Sequence, residues 1–345
     1  MKRIRLITTG LVEIEGLPII VVFLVLMGIF LLTAPRVFTG YRIYMSFLQT
    51  VPPPLMLALG LTLVIAAGEI DLSFSAVIAF SGFVFSLVFR TLGTPWLALI
   101  LALAAGALVG FVNGILVAKI GVPSIMATLA AQFFWNGLTI LLCGGLSWNI
   151  KEIKSHFVHT LFVGRIGGIV PAQSLWGVGV AVFLWFILNR HRFGEHILFI
   201  GDNVDVARVM GVNVTATKIK LFTLMGLISG FAGVLLTLEM INFWTTQGAG
   251  FLLPSLAAVF MGGTSIAGGS GSIVGSFFGA YIVGSLEAGV VATGIGGYWV
   301  RLTTGFVMGA SVVLNIMLGQ AKEKGLGEKL RKSVFLKGLD TMKKK

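Results

Sequence analysis

The segment Arg190–Lys220, RHRFGEHILFIGDNVDVARVMGVNVTATKIK, is the longest polar interval inside the otherwise apolar body of this chain. It predicts a helix of about two turns. Asp202 stands at a capping position, with Asp205 three residues later as in a capping box. Arg208 then falls in the last turn, and Gly211 stands where a left-handed stop is needed.

The predicted helix is amphipathic. Val206, Val209 and Met210 fall on one side, whereas Asp205 and Arg208 fall on the other. A helix this short is marginal in water by itself, so we expect a groove of the same protein or of a partner to hold it. The alternative is a surface loop with one incidental helical turn.

Composition defines the class of protein in which this segment lies. The chain has 345 residues, of which 57% are hydrophobic and 11% charged, and its mean hydropathy is +1.00. A soluble domain of this size cannot bury so much apolar surface, so the sequence predicts a polytopic membrane protein. The single cysteine, Cys143, excludes an internal disulfide and any cysteine-based metal or redox motif. We interpret the basic start and its apolar run as an uncleaved first span, because Glu13 and Glu15 interrupt a signal-peptide pattern.

Windows of about 20 apolar residues predict an all-α protein with ten spans. We place them near residues 17–34, 43–67, 73–89, 95–118, 124–143, 169–189, 217–238, 251–267, 271–290 and 298–318. The third, eighth and ninth are short and glycine-rich, and the second carries prolines 52–54 mid-segment. Broken or re-entrant helices are therefore expected among them. Residues 1–318 form one transmembrane domain, with a cytoplasmic loop at 190–216 and a basic cytoplasmic tail at 319–345.

Charge orients these spans. With the amino terminus inside, the cytoplasmic segments hold 18 of the 25 Lys and Arg residues and the opposite side holds 7. Positive charge concentrates on the cytoplasmic side of membrane proteins, so both termini are predicted inside. The outward loop 144–168 contains His156 and His159, but without a third ligand nearby we favour a surface amphipathic loop over a metal site.

Glycines predict close helix packing. Small residues recur at four-residue spacing in four rows: Gly106, Gly110 and Gly114; Gly226 and Gly230; Gly271, Gly275 and Gly279; and Gly305 and Gly309. The glycine-rich stretch 262–272, GGTSIAGGSGS, lacks the Gly-Lys-Ser/Thr ending of a phosphate loop. We therefore predict a tight turn between two short crossing helices, and no nucleotide site.

The acidic stretch GEIDLS, residues 68–73, is the most informative charged feature inside the spans. Gly68 can end the preceding helix, and Asp71 with Ser73 can cap the next. The result is a non-helical joint lined by protein or water, and its residues Gly68, Glu69, Asp71 and Ser73 are our transport-path candidates. The alternative is an ordinary cytoplasmic turn.

Two other acids, Glu239 and Glu287, fall near outward helix ends, where exposure is expected. None of the intramembrane acids has an obvious basic partner in the sequence. Glu69 is expected to tolerate replacement by glycine, and Asp71 to matter more.

Three stretches together resemble a known family. They are GEIDLSFSAVIAFSG at 68–82, RFGEHILFIGDNVDVARVMGVNV at 192–214 and LPSLAAVFMGGTSIAGGSGSIVGSFFGAYIVG at 253–284. They look like the permease subunits of ABC-type simple-sugar importers, the ribose- and xylose-like branch of the binding-protein-dependent permeases. The chain departs from the family pattern at Glu69, where glycine is usual. It also has one extra residue at the start of the loop and Val206 where alanine is usual. These departures leave the class intact and the sugar open.

The resemblance implies a helical permease similar in architecture to the cobalamin importers, in the bacterial inner membrane. Such a permease pairs with a second permease subunit, expected to be another copy of itself, and takes sugar from a periplasmic binding protein. A cytoplasmic ATPase would bind ATP and Mg²⁺, so this chain is expected to be neither an enzyme nor a nucleic-acid binder, and to hold no cofactor.

The polar loop would then be the coupling helix that contacts the ATPase. The residues assigned to it are Gly201, Asp202, Asn203, Asp205, Val206, Ala207, Arg208, Met210 and Gly211. Two alternatives remain open. One is a permease of the same superfamily for nucleosides, amino acids or a flavin. The other is a secondary transporter driven by an ion gradient through Glu69 or Asp71.

Overall fold

The computed structural model describes residues 16–294, together with 296, 298–300, 302–307, 309–310 and 313. Our predictions for residues 1–15, part of the tenth span, the tail 319–345 and the side chain of Glu287 lie outside the described part. The helices in chain order are α1 (Leu17–Thr33), α2 (Pro35–Phe38), α3 (Tyr41–Thr50), α4 (Pro52–Ala66), α5 (Phe74–Leu92), α6 (Pro95–Ile115), α7 (Ser124–Cys143), α8 (Phe157–Val163), α9 (Ala172–Arg190), α10 (Arg192–Asp202), α11 (Val204–Val209), α12 (Val214–Met240), α13 (Leu252–Met261) and α14 (Ile273–Ala292). A π-helical turn, Leu116–Ile120, continues α6.

The all-α, polytopic prediction is confirmed. In the described ranges, six helices are long and apolar enough to cross a membrane, namely α5, α6 with its π turn, α7, α9, α12 and α14. A bent pair, α3 and α4, makes a seventh, while α1 and α13 are shorter apolar helices. Ten crossings are thus not confirmed. The predicted third and ninth spans correspond to α5 and α14, which have 19 and 20 residues, so only the eighth, α13, is as short as expected.

Helix α4 is the centre of the core. Every residue from Pro52 to Ala66 except Pro54 is buried. It contacts α12, α9, α13 and α14, and α12 in turn packs along α5 and most extensively on α6. The prolines at the start of α4 bend the chain by 50° relative to α3, with Val51 at the corner, which confirms the predicted broken span.

The glycine rows of α6 and α12 allow these two helices to cross closely. A Cβ atom added at Gly110 would lie 2.1 Å from the carbonyl oxygen of Phe222, and one at Gly226 would lie 2.2 Å from that of Gly106. Gly279 of α14 meets Ala258 of α13 in the same way, at 2.3 Å. The close helix packing predicted from these three glycine rows is confirmed. Gly305 and Gly309 have nothing within 4 Å, so among the described residues that row packs against nothing.

Four short strands in the described part of the chain were missed by the helical prediction. Three lie between α7 and α9, and the fourth follows α12. Strand β1 (Trp148–Asn149) pairs antiparallel with β4 (Asn242–Phe243), and β2 (Arg165–Ile166) pairs with β3 (Val170–Pro171). A 3₁₀ turn, Lys151–Ser155, and α8 lie between β1 and β2. Ile153 and Val158 are buried while Lys151 and Phe157 are exposed, so the predicted amphipathic surface loop is confirmed.

Candidate coupling and transport-path sites

Helix α11 lies where the sequence predicts a short helix, but a different residue caps it. Asn203 has an extended backbone, φ −158°, and its Oδ1 accepts hydrogen bonds from the backbone N–H groups of Asp205 at 3.0 Å and Val206 at 3.1 Å. Asp202 is still helical as the last residue of α10. The predicted cap at Asp202 is wrong because a capping residue must leave the helical conformation, and the chain does so one residue later.

The end of α11 is as predicted. Gly211 has φ +83°, in the left-handed region that glycine adopts without strain, and the N–H of Val212 returns to the carbonyl of Ala207 at 3.0 Å. Two residues later Asn213 caps α12 by accepting from the N–H of Ala216 at 2.9 Å. Helix α11 is therefore bounded by the Asn203 side-chain cap at its start and the left-handed Gly211 turn at its end, and Asn213 begins the next helix.

The apolar side of α11 faces away from the rest of the protein. Ala207 is fully buried against Ile200, Val212 and Val214 and anchors the helix. The predicted apolar side lies in the open: Val206, Val209 and Met210 are 54%, 89% and 60% exposed. Asp205 and Arg208 form an exposed ion pair of 3.1 Å on the same helix. A small anchored helix thus presents unpartnered apolar side chains.

The GEIDLS stretch forms a non-helical joint between α4 and α5, as predicted. Gly68 ends α4 with φ +76°. Asp71 is buried, and its Oδ1 accepts from the N–H and the hydroxyl of Ser73 at 2.8 and 2.6 Å. Asp71 therefore stabilises the turn at Ser73. The sequence predicted that Asp71 would cap α5. Its hydrogen bonds instead end at Ser73, the residue that precedes α5, and no side chain caps the first N–H groups of that helix.

Distant hydroxyl and amide groups hold this joint in place. The hydroxyls of Ser124 and Thr128, both on α7, accept from the backbone N–H groups of Ile70 and Leu72 at 3.2 and 3.1 Å. Asn113 of α6 donates to the hydroxyl of Ser73 at 2.8 Å. These side chains supply the hydrogen bonds that a helix or strand would otherwise provide. Sequence analysis missed them because polar residues within apolar spans have no local signal that identifies their partner.

Glu69 forms an ion pair with Lys218 near the start of α12. The side chains are only 12% and 15% exposed. The prediction that this acid lacks a basic partner is therefore wrong. The ion pair gives a physical reason to expect that Glu69 cannot be replaced freely, although the family that the chain resembles usually has glycine there. The pair joins the GEIDLS joint to the helix that directly follows α11.

A junction of glycines connects the GEIDLS joint to two other segments. A Cβ atom at Gly201 would lie 1.9 Å from the carbonyl oxygen of Ala66 and 2.5 Å from the N–H of Gly269. That N–H donates to the Ala66 carbonyl at 2.9 Å, and Gly268 lies against both Gly201 and Gly68. The end of α10, the GEIDLS joint and the 262–272 turn thus meet with backbone against backbone. The tight turn predicted at 262–272 is confirmed.

The carboxyl-terminal end of α12 carries a second polar cluster. The Glu239 carboxylate accepts hydrogen bonds from the side-chain amides of Gln49 and Gln173, and Arg165 donates to Gln49 Oε1 at 3.0 Å. Glu239 is half-buried, so the expected simple exposure is wrong. Burial lowers the pKa of the nearby His159, although the Glu239 charge acts in the opposite direction. Among the described residues no group of three His, Cys, Asp or Glu side chains is arranged to hold a metal ion.

Comparison with known proteins identifies one family. The profile of the branched-chain amino acid transport system / permease component matches residues 43–314. The ribose import permease protein RbsC of Escherichia coli (strain K12) is 32% identical over 299 residues, which cover 86% of this chain and 92% of that protein.

Two further relatives are named for other transported molecules. The fructose import permease protein FrcC of Rhizobium meliloti is 32% identical over 305 residues, covering 87% of this chain and 84% of that protein. The autoinducer 2 import system permease protein LsrD of Salmonella paratyphi B is 31% identical over 249 residues, covering 70% and 73%. No solved structure matches the chain significantly.

Proposed function

We propose that this chain, which belongs to the family of branched-chain amino acid transport system permease components, forms the translocation pathway of an ATP-driven importer for a simple sugar. The observation that carries the proposal is the 32% identity, over most of both chains, with permeases named for ribose and fructose import. The chain is a multi-pass permease of an ABC import system in the bacterial inner membrane. A pentose, a hexose or a polyol is the cargo class that fits these relatives.

The coupling element in this proposal is α11. Its apolar side chains Val206, Val209 and Met210 are exposed, whereas its caps and the buried Ala207 hold it rigid. A preformed helix with an open apolar side suits a groove on a cytoplasmic ATPase, because little conformational entropy is lost on docking. Movement of α11 would reach the pathway through Gly201 and the Glu69–Lys218 pair, which tie it to the GEIDLS joint.

The finer architecture is also part of the proposal. We infer ten crossings as in the cobalamin importers, with both termini in the cytoplasm, supported by the distribution of Lys and Arg. Two copies of the chain would enclose the pathway, and a periplasmic binding protein would deliver the sugar from the outward side. ATP and Mg²⁺ would bind to the partner ATPase.

A second cargo class is favoured by one observation, the similarity to an autoinducer 2 import permease. Family membership alone does not fix the substrate. An ion-coupled mechanism has weaker support. Glu69 is neutralised by Lys218, and Asp71 accepts its hydrogen bonds within its own turn. Neither acid therefore stands as a free carboxylate facing a pathway in the described residues.

The double variant Val206→Asp/Met210→Asp tests the coupling role. Two carboxylates placed in an apolar groove cost several kcal/mol, enough to reduce a micromolar contact to almost none. We expect normal membrane insertion and pairing, but ATP hydrolysis in the reconstituted complex that no longer responds to loaded binding protein. Ile120→Asp is the control, because Ile120 is an exposed apolar residue (64%) of another loop on the same predicted side. If the double variant keeps its stimulated hydrolysis, α11 is not the coupling element.

A further inference from the structure

The corner between α3 and α4 leaves backbone acceptors without their helical donors. Residues 52–54 are prolines without N–H groups, so the carbonyls of Leu48, Gln49 and Thr50 lack the i+4 donor that a continuous helix supplies. In the described part of the chain, no side chain supplies the missing hydrogen bonds. Carbonyls without a helical donor can accept hydrogen bonds from water or a ligand, and Thr50 is exposed, so its carbonyl lies in a residue that either can approach.

Helix α13 begins beside this corner. The chain enters from the outward end of α12 through β4 and the 3₁₀ turn Ala249–Phe251, and α13 then runs for ten residues to the glycine turn on the α11 side. Ten helical residues extend about 15 Å, half of a hydrocarbon core of about 30 Å. Helix α13 is therefore too short to cross the hydrocarbon core by itself, and irregular backbone within a membrane protein is tolerated next to a cavity.

A cavity of about 370 Å³ lies between this corner, α13 and α14. Its size is within the range of small-molecule sites. Thr50 and Val51 of the corner, Phe251 and Ser255 of the α13 segment and Thr304 form part of its wall, and no described residue of the wall is charged.

Ser255 is the most informative of these residues. It is 1% exposed, and its hydroxyl has no hydrogen-bond partner among the described residues. A helical serine ordinarily bonds back to the carbonyl four residues earlier, as Ser229 does with Met225 at 2.7 Å. Ser255 does not use that option, so its buried hydroxyl, in a residue of the cavity wall, keeps an unsatisfied hydrogen-bonding capacity.

We infer that this cavity is a site at which a neutral, polyhydroxylated substrate binds during its passage. Sugar hydroxyl groups can donate to the free carbonyl of Thr50 and exchange hydrogen bonds with Ser255, while the C–H face of the sugar ring packs on Phe251. The described wall has no charge to favour an ionic cargo, in contrast to the Glu239–Arg165 cluster outside. This inference rests on the proposed function, because it assigns the binding residues for the sugar imported there.

Protection of a cysteine tests occupancy directly. Cys143→Ala removes the single native cysteine, and Thr50→Cys then places a thiol in the cavity wall. We expect ribose or fructose at saturating concentration to slow modification by a small methanethiosulfonate reagent at least threefold in the intact complex in proteoliposomes. Thr33→Cys is the control, an exposed threonine of α1 outside the cavity, and its modification should not change. If neither sugar protects Thr50→Cys in a complex that imports it, the cavity is not a substrate site.

Uptake by serine variants tests the recognition chemistry. Ser255→Ala should lower the initial rate of sugar uptake at least fivefold, and Ser255→Thr, which keeps the hydroxyl, should recover much of it. Ser229→Ala removes a hydroxyl that is already satisfied and should transport normally. ATP hydrolysis stimulated by loaded binding protein should stay within twofold of wild type in all three. Normal uptake by Ser255→Ala would overturn the role of this hydroxyl. A wild-type complex that imports no member of a panel of pentoses, hexoses and polyols would instead overturn the proposed function, and the site with it.

Discussion

The ammonium group of Lys218 and the carboxylate of Glu69 form an ion pair between residues 149 positions apart in the chain. Glu69 lies in the joint after α4, and Lys218 lies in the second turn of α12, just beyond α11. The pair therefore connects the predicted coupling helix to the predicted transport path. Glu69 stands at the position where the family that this chain resembles usually has glycine.

Removing the acid alone should destabilise the protein. Glu69→Gln leaves the Lys218 charge largely buried without a partner, at a cost of about 2 kcal/mol. Glu69→Gly should behave similarly, contrary to the expectation from the sequence alone. The double variant Glu69→Gln/Lys218→Met should recover most of the loss, since no unpaired charge remains. Thermal unfolding of the solubilised protein measures these differences, and a single variant as stable as wild type would show that the pair contributes nothing.

Asp71→Ala should impair transport while the complex still assembles. The variant loses two hydrogen bonds to Ser73, for a net loss of about 1–2 kcal/mol confined to the joint. Asp71→Asn keeps an acceptor oxygen and should have a milder effect. Sugar uptake by proteoliposomes and co-purification of the ATPase are the two measurements. Normal uptake by Asp71→Ala would show that GEIDLS is an ordinary turn without a role in transport.

Gly201→Ala should disrupt the glycine junction. Its Cβ atom would lie 1.9 Å from the Ala66 carbonyl oxygen, so the segments must separate, with an expected loss of about 2–3 kcal/mol. Gly137→Ala is the matched control, because Gly137 lies within α7 with nothing within 4 Å of an added Cβ atom. Alanine there should be neutral or stabilising by about 0.5–1 kcal/mol. The midpoint of thermal unfolding is measured for both variants and should be lower for Gly201→Ala. Equal midpoints would contradict close packing at Gly201.

The topology can be tested by labelling from outside intact cells. In the Cys143→Ala background, a membrane-impermeant thiol reagent should modify Lys154→Cys, in the outward loop, and spare Lys332→Cys, in the tail. The uneven distribution of Lys and Arg is the physical basis for this orientation. The reversed pattern would overturn the orientation and the cytoplasmic position of α11 together.

Local features of this protein could be predicted from its sequence. The break at prolines 52–54, the helix end at Gly68 and the stop at Gly211 follow from backbone preferences that each residue carries with it. The hydrophobic runs likewise predicted the helical membrane class. The predicted cap of α11 was one residue too early. Capping propensity does not distinguish Asp202 from Asn203, and the choice depends on the backbone, which is extended only at Asn203.

Pairings between distant segments were decided by the tertiary structure. Glu69 with Lys218, Glu239 with Gln49 and Gln173, and the contact of Gly201 with Ala66 join residues whose separation along the chain carries no periodic signal. The amino-acid sequence determined where helices begin, break and end, because those free energies depend on neighbouring residues. Only the folded chain decided which buried polar groups meet and which, such as the Ser255 hydroxyl, remain free, because desolvation and hydrogen bonding depend on what packing brings within about 3 Å.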